Sequence, residues 1–68
     1  MKIRYDSKVD AIYIEFAKGA YEVSRVVSDA VVVDEDKNGN VLGIEILDAK
    51  KHIAAFDPHN TSISVKSS

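Results

Sequence analysis

The sequence predicts a small α+β domain: an antiparallel sheet of about four or five strands with one short helix after residue 47. Period-two alternation recurs along most of the chain, β-branched residues crowd its middle, and helical spacing appears only after Leu47. The 68 residues form a single domain, with residues 57–68 as a variable tail.

Lys2 to Tyr5 alternates with Ile3 and Tyr5 on one face, and Ala11 to Phe16 repeats the pattern with Ile12, Ile14 and Phe16. Between them, Asp6-Ser7-Lys8-Val9-Asp10 supplies side chains that bond their own backbone in turns, so the two strands form a short hairpin. Ala17-Lys18-Gly19-Ala20 interrupts the alternation. Tyr21 to Val27 is a third strand, Ser28-Asp29 a turn, and Ala30 to Glu35 a fourth strand built on Val31, Val32 and Val33. From Asn40 to Leu47 the alternation is clearest, setting Leu42, Ile44 and Ile46 against Val41, Gly43, Glu45 and Leu47. Asp48 reads as an N-cap, and Ala49, Ile53 and Phe56 share one face of a helix that Asp57-Pro58 ends. So short a helix is unstable alone in water and must pack on the sheet. In the tail, Thr61, Ile63 and Val65 alternate with serines, which reads as an edge strand added to another subunit or as loose chain.

A chain of this length gains only ~3–5 kcal/mol from a lone core, so it needs a staple or a partner. With no Cys, disulfides, thiolate zinc sites and thiol catalysis are excluded. A net charge of −2 with scattered Lys and Arg argues against nucleic-acid binding. No apolar run is long enough to span a membrane, and Met1-Lys2 leads straight into alternation without a signal-peptide core. The expected setting is cytoplasmic.

Residues 34–45, DEDKNGNVLGIE, match the EF-hand calcium-loop pattern through Asp34, Asp36, Asn38, Gly39 and Glu45. An EF-hand needs an entering helix, and SRVVSDAVVV before the loop is rich in β-branched valine and lacks a helical stripe. A β-hairpin fits better. With Asn38-Gly39 as a two-residue turn flanked by Lys37 and Asn40, Val33 lies opposite Ile44, Val31 opposite Ile46 and Glu45 opposite Val32. A three-residue loop with a Gly bulge would instead set Val32 opposite Ile44 and break the alternation.

MKIRYDSKVDAIYIEF, a β-rich middle, an acidic Gly turn and NVLGIEILDAKK together resemble the small prokaryotic YuzE-like family, domain of unknown function 2283. The resemblance runs from Met1 to about Lys51 and is carried by KIRYD, DAIYI and GIEILDA; the tail after His52 departs from it. It implies a small antiparallel sheet with a helix and no established enzymatic activity. Members encoded beside small toxin-like proteins imply an antitoxin role for some of them.

The residues offer little chemistry of their own. His52, Asp57 and His59 are the only transition-metal-like group, at a spacing that supports no known site. The pairs Asp6/Asp10 and Asp34/Asp36 fall in turns, where Asp serves the backbone. No cofactor or catalytic residue is expected. The positive signal is apolar residues on both sheet faces: Val31, Val33, Leu42, Ile44 and Ile46 under the helix, and Val32, Val41 and Leu47 on the other side with Gly43. Each valine or leucine left in water forgoes ~1.5–3 kcal/mol, so Val32, Val41 and Leu47 are the expected contact surface of a homo-oligomer, dimer or larger. The competing arrangement folds the N-terminal hairpin across them. The alternative function is an antitoxin that engages a small basic protein through the acidic turn and tail.

Overall fold

Five strands form one antiparallel sheet in the computed structural model, which describes residues 1–67. They are β1 (Lys2–Asp6), β2 (Ala11–Glu15), β3 (Val23–Val26), β4 (Val31–Glu35) and β5 (Val41–Ile46), followed by α1 (Ala49–His52). Their order across the sheet is β1-β2-β5-β4-β3. The expected α+β architecture is present.

Two local units are joined by one long-range pairing. β1 and β2 form the N-terminal hairpin, β3, β4 and β5 form a meander, and β5 returns against β2 with Ile12 opposite Ile46 and Ile14 opposite Ile44. The hairpin therefore lies in the plane of the sheet and folds across neither face. Phe16 to Glu22 must then pass the ends of β5 and β4. Its backbone is held on the way: Phe16 and Ala17 N–H donate to the Leu42 carbonyl at 2.8 and 3.2 Å, and Glu22 N–H donates to that of Glu35 at 3.0 Å. A Cβ on Gly19 would stand 2.9 Å from Leu42 Cδ2, so a side chain there would require Leu42 to shift.

The β4–β5 register is as expected at Val31/Ile46, Val32/Glu45 and Val33/Ile44, but the tip is built differently. Asp36 N–H donates to Asn40 O and Gly39 N–H to Asp36 O, with Gly39 at φ 82°, so the loop holds three residues rather than two. That loop alone would slip the register by one. A bulge restores it, because Asp34 pairs with Gly43 while Glu35 pairs with Val41, leaving Leu42 as the extra residue. The Asp36 carboxylate fastens the loop by accepting the N–H groups of Asn38 and Asn40, both at 2.9 Å, and the Asn40 amide at 3.0 Å. These bonds hold the Asp36 carboxyl below its ordinary pKa, the Asn40 side chain contributing most.

The helix is shorter than its apolar spacing implies and is capped from elsewhere. Asp48 adopts a left-handed backbone with no side-chain cap bond, and the chain is extended again by Ile53, so Phe56 lies beyond the helix. Asp10, in the β1–β2 turn at φ 55°, takes the capping role. Its carbonyl accepts Ala49 N–H at 2.9 Å, and its carboxylate accepts Lys50 N–H at 3.1 Å and the Tyr5 hydroxyl at 2.7 Å. That last bond, with burial and the charges of Asp10 and Asp6, raises the Tyr5 pKa. Ala49 is fully buried at this junction, and Phe56 packs edge-on against Tyr5 with ring centroids 5.0 Å apart.

The interior is thinly filled. Among the described residues, the buried apolar side chains are Ile12, Val33, Leu42 and Ala49, and the first three keep 7–9% of their surface. The molecule is a slab of 35 × 34 × 18 Å.

Candidate interaction surface

Residues directly paired across an antiparallel sheet share a face, so the register sorts the side chains. One face carries Ile3, Tyr5, Ile12, Ile14, Ile44, Ile46, Val31, Val33 and Val41, with Arg25 and Glu35 toward its β3 end. Phe56 and Pro58 lie against it beside Ile3, Tyr5 and Ile12, where they border a cleft of about 140 Å³. Ile14, Ile44, Ile46 and Val31 stay half-buried, and Ile3, Val23 and Val41 are exposed at 39%, 46% and 43%. The Arg25 guanidinium is bonded to Glu35 at 2.7 Å, which neutralises the charge at this end.

The opposite face is polar. Arg4, Tyr13, Glu15, Ser24, Val32, Asp34 and Glu45 lie on it, with the Arg4 guanidinium 4.9 Å from the Tyr13 ring centroid. Tyr13 lies across Gly43: a Cβ there would meet the Tyr13 hydroxyl at 2.7 Å and the Ile14 carbonyl at 2.8 Å. Asp34, buried despite its charge, accepts the Ser24 hydroxyl at 2.6 Å. Glu45 is its diagonal neighbour, and burial, then a hydrogen bond and the charge of Asp34, raise the Glu45 pKa. Burial and the charges of Asp34, Glu15 and Glu45 likewise raise that of Tyr13, against the opposing pull of Arg4.

The expected contact residues do not lie together. Val32 and Leu47 belong to the polar face, with Leu47 N–H bonded to Ala30 O at 2.7 Å beyond the β4–β5 pairs. The bulge at Leu42 carries Val41 onto the apolar face, opposite Glu35. The assignment of Val41 to the same side as Val32 is thereby corrected.

Asp34 lies within β4 rather than in a turn, and most of the other candidates serve the backbone. Asp6 accepts Lys8 N–H, Asp57 accepts His59 N–H, and His52 Nδ1 lies 3.0 Å from Leu47 O. In the calcium-like stretch the flanking elements are β4 and β5 rather than helices, and each Asp36 carboxylate oxygen is engaged in the turn. Among the described residues, no group of three or more His, Asp or Glu converges as a metal site. Two clefts among the described residues, of about 170 and 140 Å³, fall below the ~300 Å³ at which small-molecule pockets begin.

A family of proteins of unknown function, DUF2283, matches residues 2–50, from β1 into α1. The chain belongs to the DUF2283 family. Its match covers the whole sheet and stops before Phe56 and the tail. The chain is also 39% identical over 51 residues to an uncharacterised protein of Methanocaldococcus jannaschii. That alignment covers 75% of this chain and 43% of the relative, so the chain spans less than half the relative's length. No solved structure matches this DUF2283 protein. No described helix is long and apolar enough to cross a membrane.

Proposed function

We propose that this DUF2283 chain is a non-enzymatic interaction module that self-associates through the apolar face of its sheet, burying Ile14, Val31, Val41, Ile44 and Ile46 against a second copy. The observation that carries the reading is the exposure of Val23 and Val41, with Ile14 and Ile44 half-open, on a face without an unpaired charge. Stacked sheets sit ~10 Å apart, so two facing copies bury both faces in one shared core. Light scattering and sedimentation equilibrium test it: a concentration-dependent dimer or larger closed assembly is expected, and a monomer at millimolar concentration refutes it.

A second reading has its own observation, the carboxylates of Glu15, Asp34 and Glu45 around Tyr13 on the polar face. Such a face suits a small basic protein partner, as an antitoxin would need. Relief of that partner's toxicity on co-expression, lost on Glu15→Gln with Glu45→Gln, supports this reading; unchanged relief in the double variant removes the polar face from it.

A further inference from the structure

We propose that the tail segment Thr61–Lys66 of one copy adds as an extra strand to the open edge of β3 in another copy. This interface is separate from face-to-face pairing, since it uses the rim of the sheet.

β3 is the last strand of the sheet and every residue in it is exposed, Val26 at 72%. Val27 N–H donates to Val31 O at 2.9 Å. Alternation in an antiparallel ladder then turns the backbone of Arg25 and Val27 toward β4, and that of Ser24 and Val26 toward solvent. Natural edges are guarded by lysine, proline or inward charge. Val23-Ser24-Arg25-Val26 has neither lysine nor proline, and its single charge, Arg25, is paired with Glu35. The other rim, β1, carries Lys2, Arg4 and Asp6.

The tail has the character of the missing strand. Thr61, Ile63 and Val65 alternate with Ser62 and Ser64, and Ile63 and Val65 are 58% and 85% exposed. It adopts neither strand nor helix within its own chain. Its own β3 is out of reach. Thr61 lies over Ile3, Tyr5 and Ile12 at the β1–β2 side, four inter-strand spacings of ~4.8 Å from β3, or ~19 Å. At ~3.3 Å per residue, Thr61 to Lys66 is used up in crossing that span, with nothing left to pair. Docked on another copy, Ile63 and Val65 continue the apolar face beside Val23.

Amide exchange followed by NMR tests the proposal, on the full chain and on a chain ending at Asn60, each carrying Val41→Lys so that face pairing is weakened alike in both. In the concentrated full chain, Ser24 and Val26 should exchange about tenfold or more slowly than in the shortened chain. Arg25 and Val27, bonded within the chain, should be protected in both and so report that both are folded. A synthetic peptide of residues 61–68 added to the shortened chain should restore the protection. Equal exchange at Ser24 and Val26 in the two chains overturns the proposal, as does protection that survives dilution to monomer.

Discussion

Replacing Val41 by lysine is the sharpest test of which face is buried. Val41 is 43% exposed in the single chain. Complete burial of a valine is worth ~1.5–3 kcal/mol, so covering the remainder contributes ~0.6–1.3 kcal/mol per copy and ~1.3–2.6 kcal/mol in a symmetric pair. Losing it weakens the dimer about ten- to eightyfold, before the cost of desolvating the ammonium is added. The fold should tolerate the change, because the new cation lies opposite Glu35. Val32→Lys is a matched control: it too places a cation opposite a glutamate, Glu45, but on the polar face. Sedimentation equilibrium over a wide concentration range should show Val41→Lys dissociating and Val32→Lys assembling like the parent. The reverse result, or the parent's affinity in both variants, would refute burial of the apolar face.

Gly43→Ala should cost about 1–3 kcal/mol in chemical denaturation, since the methyl meets the Ile14 carbonyl and cannot be relieved by moving Tyr13 alone. Asp10→Ala should cost about 1.5–3 kcal/mol and unfasten α1, seen as faster exchange at Ala49 and Lys50, because one side chain holds both Tyr5 and Lys50 N–H. Glu45 has a raised pKa, so its contribution to stability is full below its unfolded value of 4.5 and is lost as pH rises through the folded one. Glu45→Gln should therefore raise the melting temperature at neutral pH and bring no gain at pH 4; a lower melting temperature at neutral pH contradicts this. Asp36 runs the other way. Its stabilisation is present above the unfolded value of 3.8 and fades as pH falls through its lowered pKa, so Asp36→Asn should lower the neutral-pH melting temperature and flatten the acid limb.

The strands were legible because alternation of apolar residues is a local signal, and the pairing of Val33 with Ile44 followed from matching two such patterns. The tip was not, since Asn38-Gly39 suits both a two-residue and a three-residue loop. The choice rests on the Asp36 carboxylate and on the bulge at Leu42, neither of which has a periodic signature. Once Leu42 is extra, Val41 changes sides, and the expected contact surface divides with it. Apolar spacing in the sequence overextends the helix for a related reason. Asp48 has the composition of a cap, yet the capping oxygen comes from Asp10, far away in sequence and next to α1 only after β2 pairs with β5. The Asp34–Glu45 pair was within reach, because a register with Val32 opposite Glu45 makes Asp34 its diagonal neighbour.

The bulge at Leu42 has a consequence for how this hairpin varies. A two-residue turn without a bulge and a three-residue loop with one span the same stretch of chain and leave Val33 opposite Ile44 in both. The inner strands are therefore blind to which tip is in use. Only Val41 registers the difference, lying opposite Glu35 with the bulge and opposite Asp36, on the polar side, without it. Substitutions among residues 36–40 thus act as a selector for the apolar face, adding or withdrawing one valine at its rim while the sheet beneath stays the same.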